Sequence, residues 1–450
     1  MTRGVLLMPD LLAGAEAVKA APAVGAGAAP ARAKPRALLK WLGPGLITGA
    51  SDDDPSGIAT YSQVGAQYGY AMGWLMLFSY PLMVAIQEIS ARIGRVTGHG
   101  IAGNIRKHYS MGLLRGIVAL LLLANVINIG ADLGAMGDAL KLIIGGSSRL
   151  YVVVIALGCV LLEVFSSYAR YVRILKWTTL SLLAYVATVF VVGVPWHDVA
   201  LGIFLPRASW DKDYITGMVA VLGTTISPYL FFWQASEEAE DERVTPGAEP
   251  LLAAPDQAPA EMRRIRLDTF AGMAVSNVVG IFIIITTAAT LHTHGITDIA
   301  SSAQAAEALR PIAGPFAFAV FALGIIGTGL LAVPVLAGSA AYALGEALEW
   351  PIGLARLPLE AKAFYATIGL ATLIGIAINF VAIDPIKALF WSAVINGVIA
   401  VPLMVVMMLM TRRREVMGDF TLSRPLALVG WLATLAMGLT VLAMGWTALA

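Results

Sequence analysis

Charge is what this sequence has least of. Only 13% of the 450 residues are Asp, Glu, Lys or Arg, about half the ~25% expected of a soluble domain. Cysteine is scarcer still: one residue, Cys159, excludes a disulfide framework and a cysteine metal cluster. No glycine-rich nucleotide loop precedes a helix signal, and no nucleophile and base pair is evident, so the chain does not read as an enzyme. The net charge of +1 offers nothing to nucleic acid.

Hydrophobic residues fill the gap, at 58% of the chain with a mean hydropathy of +0.78. Eleven apolar spans are expected: Leu42–Tyr70, Met72–Ile93, Leu113–Leu133, Tyr151–Phe165, Ile174–Val194, Tyr214–Ala235, Phe270–Leu291, Phe316–Leu344, Ala363–Ile383, Ala388–Met410 and Leu426–Trp446. An all-α integral membrane protein follows. Residues 1–36, rich in Ala, Pro and Gly, read as a flexible cytoplasmic tail, and Pro9 and Asp10 interrupt the short apolar run of a rival secretory signal. Residues 37–450 form one transmembrane domain. The stretch 237–266 turns from acidic to Pro/Ala-rich to basic without periodicity, and reads as a mobile cytoplasmic loop. The outer connection Trp196–Asp213, with Trp196, Pro206 and Trp210, is expected to pack as a small cap.

Basic residues set the expected orientation. With the N-terminus inside, 24 of the 30 Lys and Arg fall on the cytoplasmic side, and Lys141, Arg149, Arg207, Lys212, Arg310 and Lys387 do not. Eleven spans then leave the C-terminus outside, in a multi-pass protein of the cell membrane.

The first span is centred on Ser51-Asp52-Asp53-Asp54-Pro55-Ser56-Gly57. A carboxylate at bilayer depth costs about 2.5–3.5 kcal/mol or more and marks an ion or substrate path. Pro55 removes a backbone donor and biases Asp54 away from helical dihedrals, so the helix breaks there. Broken backbone at this depth survives only under protein cover or beside a polar cavity. The sixth span carries a second break at Gly223-Thr224-Thr225-Ile226-Ser227-Pro228-Tyr229, where Pro228 frees the Thr224 carbonyl. Two interrupted helices, each leading a group of five, are the sequence mark of a transporter built from inverted repeats. The repeats are placed at 42–194 and 214–410, with 426–446 as a peripheral helix.

Asp54, the Ser227 hydroxyl and unwound carbonyls give one carboxylate among neutral oxygens, and no basic residue lies in either break. Such a set takes a hard divalent cation.

The segments Asp54-Pro55-Ser56-Gly57 and Ile226-Ser227-Pro228-Tyr229, with Ile86-Gln87-Glu88-Ile89-Ser90-Ala91-Arg92 on the second span, resemble the motifs of the Nramp divalent-metal transporters, over roughly Trp41–Met410. The resemblance implies a LeuT-type fold of eleven helices in a 5+5 inverted repeat with helices 1 and 6 broken, and metal ligation by Asp54 and the Thr224 carbonyl. It also marks departures. Gly57 stands where the family has a metal-binding Asn, Ser227 replaces a thioether Met, and Tyr229 replaces His. Asn128 and Ala131 stand where a proton-linked acidic pair is expected, with Asp132 one position along. These changes are similar to the Nramp-related magnesium branch, in which a wider site keeps waters on the ion.

Asp54, Gly57, Thr224 and Ser227 are therefore the expected metal site, and Asp53, Asn128, Asp132, Tyr229, Gln234, Ser392 and Asn396 the expected cavity or vestibule. The expected function is secondary transport of Mg²⁺, with Mn²⁺ beside it, by alternating access. Two charges crossing 100 mV gain about 4.6 kcal/mol, so proton coupling is not required. The alternatives are a proton-coupled Mn²⁺/Fe²⁺ importer of the ordinary Nramp type and an amine or amino-acid carrier on the same fold. The expected ligand is the transported ion, with no cofactor; the lipid bilayer is the other expected partner, and no obligate protein partner is evident. Glu88 and Arg92 are expected to pair one turn apart; Glu237 and Glu238 are expected in solvated loop. His292 and His294 are too poorly supplied with carboxylates for a metal site.

Overall fold

The computed structural model describes residues 44–165, 182–381 and 384–449. Among them all regular structure is helical. The expected tail 1–36 and part of the fifth span, Ile174–Val194, lie outside the described residues.

Asp54 adopts an extended conformation (φ −68°, ψ 171°), which ends helix α1 (Pro44–Asp52) and starts α2 (Pro55–Tyr68) with Pro55 in its first turn. Proline is suited to that position, where its missing N–H has no partner to lose. The sixth span breaks the same way. Ile226 (ψ 62°) and Ser227 (ψ 133°) leave the helical region between α9 (Lys212–Thr225) and α10 (Pro228–Val244).

Between the breaks run α3 (Gly73–Thr97), a short α4 (Ile101–His108), α5 (Met111–Ile144), α6 (Ser148–Phe165), α7 (Leu183–Val191) and α8 (Trp196–Phe204). After them come α11 (Ala258–Thr290), the short α12 (Ser302–Glu307) and α13 (Arg310–Ala313), then α14 (Ala317–Leu348), α15 (Lys362–Ile378), α16 (Pro385–Met410), the short α17 (Arg414–Met417) and α18 (Arg424–Leu449). Eight of the described helices or helix pairs are long and apolar enough to cross a membrane. The broken pair α1–α2, the shorter α15, and α7 at the end of the fifth span complete the eleven expected positions.

The core is assembled around α5, α11, α14 and α16, which pack on one another's neighbours and on the two broken spans. Close approach is set by glycine where a side chain would overlap backbone. A Cβ on Gly223 would lie 2.1 Å from the Ala393 carbonyl oxygen, joining α9 to α16, and one on Gly49 would lie 2.3 Å from the Gly272 carbonyl carbon, joining α1 to α11.

Two expectations are corrected. The stretch 237–266 is helical to Val244 and again from Ala258. Its prolines sit where helices tolerate them, in the opening turns at Pro255 and Pro259. The connecting Leu251 is fully buried and donates its N–H to the Arg95 carbonyl, at 3.2 Å. The outer connection does pack, but through Val199 and Gly202 of helix α8 (Trp196–Phe204), which are buried beside Tyr70; the expected anchors Trp196 and Trp210 are 53% and 81% exposed.

Candidate metal-binding site

The Asp54 carboxylate is the first cap of α2. Oδ1 accepts the Gly57 N–H at 2.7 Å and the Ser56 hydroxyl at 2.6 Å. Oδ2 keeps a weaker contact, the Tyr229 hydroxyl at 3.3 Å, while that same hydroxyl lies 2.9 Å from the Ser51 carbonyl. One phenolic hydrogen serves one acceptor fully, so Oδ2 is the oxygen left for a cation.

Gly57 brings the two breaks together. A Cβ there would meet Thr224 Oγ1 at 3.2 Å and the Asp52 carbonyl at 3.3 Å. Ser227 donates its hydroxyl to the Gly223 carbonyl at 2.9 Å or the Thr224 carbonyl at 2.8 Å. The Thr224 oxygen freed by Pro228 is thus partly satisfied by its own turn, and each of these oxygens retains a lone pair for an ion. Asp54, Thr224, Ser227 and Tyr229 are at most 2% exposed. No group of three or more His, Cys, Asp or Glu among the described residues is arranged to hold a metal. The chemistry offered is one carboxylate plus neutral oxygens.

A polar stripe on α5 faces this centre. Asn125 donates to the Leu336 carbonyl at 2.9 Å, and Asn128 donates to Asn396 Oδ1 of α16 at 2.9 Å. Asp132 lies within electrostatic reach of Asp54. Asn128 Oδ1, Asn396 Nδ2, both Asp132 carboxylate oxygens and Ser51 Oγ are buried and have no hydrogen-bond partner. Orphaned buried polar atoms cost roughly 1–3 kcal/mol each unless water or a ligand meets them. Unpaired polar atoms within the bundle suit bound water, and so a cation that keeps part of its hydration.

Other expected residues land elsewhere. Asp53 turns to α11, where Ser276 lies 3.0 Å from its Oδ1 and also hydrogen-bonds Asp52. Gln234 is fully buried and donates to Thr269 at 3.1 Å, so it braces α10 against α11. Ser392 donates to the Leu389 carbonyl of its own helix at 2.7 Å and faces a separate groove beside Ala131. His292 and His294 each direct Nδ1 at a backbone carbonyl, Ala66 and Thr290.

Sequence reasoning missed Ser276 and Asp268, which lie on one strip of α11; Asp268 accepts the Gly45 N–H at 2.7 Å at the start of α1. Asp268, a carboxylate close to an apolar run, was the available signal for that position, and Ser276 carried none. It also missed Met136, whose sulfur packs against Gly329, itself next to Pro55.

A cleft of about 580 Å³ opens where α2 ends and α9 and α16 begin, lined by Gln63, Gln67, Asp213, Thr216 and Trp391 among others. At the opposite end Trp233 packs edge-on to Tyr342 at 5.9 Å between centroids. Below it, Arg264 pairs with Glu238, and Glu88 pairs with Arg92 as expected and lies 3.5 Å from Arg266. The solvated-loop expectation for Glu237 and Glu238 is overturned, because helix α10 continues through them. Glu238 is wholly buried against Arg264, and Glu237 lies 3.2 Å from the Tyr342 hydroxyl, whose hydrogen goes to the nearer Glu240.

The helical fold that carries these two broken spans has counterparts among solved structures. The Eremococcus coleocola manganese transporter, in complex with an aromatic bis-isothiourea substituted compound, superposes with a TM-score of 0.70 at 18% identity, over 90% of this chain and 86% of that one. Mhp1, a nucleobase-cation-symport-1 family transporter, gives 0.57 at 15% identity over 90% and 93%. Both support the LeuT-type fold. In sequence, the divalent metal cation transporter MntH of Verminephrobacter eiseniae is 25% identical over 410 residues, 89% of this chain and 87% of the relative. MntH of Deinococcus radiodurans is 25% identical over 408 residues, 88% and 87%. The family described as Nramp, natural resistance-associated macrophage protein-like, matches residues 45–447, which take in both breaks and every helix from α2 to α17, and on that evidence this chain belongs to the Nramp family.

Proposed function

We propose that this chain is a secondary transporter of divalent metal cations that works by alternating access around Asp54. The observation that carries the reading is the meeting of the two breaks: the Asp54 carboxylate, the Ser227 hydroxyl and the Thr224 carbonyl lie on facing interrupted helices, with Gly57 leaving room between them. The domain plan that goes with it is a repeat at 42–194, a second at 214–410 and a peripheral helix at 426–446. The N-terminus is cytoplasmic and the C-terminus outside in the cell membrane, so that the cleft beside Gln63 faces outward.

Kinship favours manganese, since named relatives are divalent metal cation transporters and a manganese transporter. On that ground the ordinary, proton-coupled Mn²⁺/Fe²⁺ type is the better supported form of the reading, and Asp132, buried and unpaired near Asp54, is the group in this chain able to hold a proton beside the ion. The chemistry at the breaks adds magnesium. Oxygen-only ligation with orphaned amides in the same bundle suits an ion that dehydrates reluctantly and is held partly through water.

The test is uptake into proteoliposomes. Asp54→Asn keeps the caps on α2 and removes the charge; Mn²⁺ and Mg²⁺ uptake are expected to fall at least tenfold. Undiminished uptake sinks the proposal. Internal pH recorded in the same vesicles assigns the coupling: acidification with Mn²⁺ entry is the ordinary Nramp behaviour, and entry without it is the voltage-driven one.

A further inference from the structure

A second cavity, of about 310 Å³, lies between α5, α15 and α16. Its walls include Ile127, Ala131, Ile378, Val381, Ala388 and Ile395. Below Lys387 at the mouth, the polar side chains of the lining are already used: Ser392 donates to the Leu389 carbonyl at 2.7 Å, and Asn379 Nδ2 donates to the Gly130 and Gly375 carbonyls at 2.8 and 2.9 Å, with its Oδ1 packed where a Cβ on Gly134 would lie 2.3 Å away. The groove therefore offers apolar contact and no free hydrogen bond. Val381 and Trp391 on its rim are 61% and 55% exposed, which places the opening toward the bilayer. It has room for roughly ten groups the size of a water or a methylene, at about 30 Å³ each.

The mouth is basic. Lys387 lines the groove, and the Arg149 guanidinium lies 5.9 Å above the ring of Phe380, next to Val381. Neither side chain has a carboxylate partner among the described residues. The nearby Asp384 carboxylate is committed to capping α16, accepting the Ile386 and Lys387 N–H groups at 2.9 and 3.2 Å. Two unpaired cations at the membrane surface over an apolar slot match one amphiphile: a phosphate outside, a hydrocarbon chain inside.

We propose that this groove binds an anionic phospholipid, with one acyl chain between α5, α15 and α16 and the phosphate held by Lys387 and Arg149. Lys387 and Trp391 also line the cleft beside Gln63. The lipid thereby braces the start of α16 at the cleft's mouth, and zwitterionic bilayers leave that end of the helix less restrained.

Lipid retention tests this without relying on transport. Full-length protein reconstituted in equal mixtures of phosphatidylglycerol and phosphatidylcholine, then extracted gently and weighed intact by native mass spectrometry, is expected to retain phosphatidylglycerol in preference. The surface double variant Lys387→Gln/Arg149→Gln is expected to lose that preference at least threefold, and Ala388→Phe, which fills the groove and leaves the charges, to reduce lipid of either kind. Equal retention of the two lipids by the parent protein, or a preference unchanged in the double variant, overturns the assignment. Metal uptake by the same samples reports separately on the transport reading.

Discussion

On the proposed reading of the site, Ser227 sets how soft its ligands are. Its hydroxyl stands at the turn that frees the Thr224 carbonyl, and a thioether in its place adds a polarizable ligand without altering the break, because Pro228 and the extended Ser227 backbone make it. Ser227→Met is therefore expected to strengthen Cd²⁺ binding about tenfold, worth roughly 1.4 kcal/mol, and to weaken Mg²⁺ binding, as read by calorimetric titration of the purified protein. Unchanged Cd²⁺ affinity means that position 227 does not touch the ion. At this scale the sequence was most informative where chemistry is local. Asp54, Gly57 and Ser227 are legible because proline, glycine and carboxylate in an apolar run contradict their surroundings. Ser276 is not, since a serine in a membrane helix commonly bonds its own backbone and nothing in its neighbours says that it faces Asp52 and Asp53.

Elements were legible in number and order and less so at their ends. Helices α5, α10 and α11 extend well beyond the apolar spans, since charged residues continue a helix once tertiary partners satisfy them. Glu240 illustrates this, receiving the Tyr342 hydroxyl and the Leu354 and Ala355 N–H groups, the last at 2.7 Å. The turn between α3 and α4 carries a pH-sensitive contact of the same kind. Burial, then the charges of Lys107 and Arg243, pulls the His99 imidazole below its usual value. Its Nε2 lies 2.6 Å from Lys107 Nζ, a contact that needs the neutral ring. The unfolded chain takes up that proton near pH ~6.5 and the folded chain only at lower pH. Between those values the unfolded state holds more protons, so the contribution is complete above about pH 6.5 and is lost as pH falls through the folded value. Melting temperatures at pH 7.5, 6.5 and 5.5 are expected to fall more steeply for the parent than for His99→Asn; parallel curves exclude His99 as a source of the acid sensitivity.

For the whole molecule the structure shows what no single span encodes, a cleft beside Gln63 at one end and, at the other, the contact of Trp233 with Tyr342 above a set of ion pairs. That end is held by pairs drawn from different helices: Glu238 of α10 with Arg264 of α11, and Glu88 of α3 with Arg266. Such pairings join residues 26 and 178 positions apart, which periodicity cannot reveal. Glu238→Gln removes the more buried of Arg264's two carboxylate partners and leaves Glu261 at 2.8 Å, so the cost is below the about 3–5 kcal/mol of a buried charge left with no partner. That loss falls on the state in which the end is closed, so the equilibrium shifts toward the opposite opening. Cys159 is the native cysteine and is buried, so Cys159→Ser gives a background free of thiol. On it, Thr269→Cys, wholly buried against Gln234 at that end, is expected to label with a small maleimide several-fold faster once Glu238→Gln is added. Gln63→Cys in the cleft is expected to slow over the same comparison. A coupled change in opposite directions is the signature of alternating access, since one rigid-body movement opens one end as it closes the other. If Thr269→Cys accelerates while Gln63→Cys stays constant, the ion pair merely holds α10 to α11 locally, and the lock on the transport cycle lies in another contact.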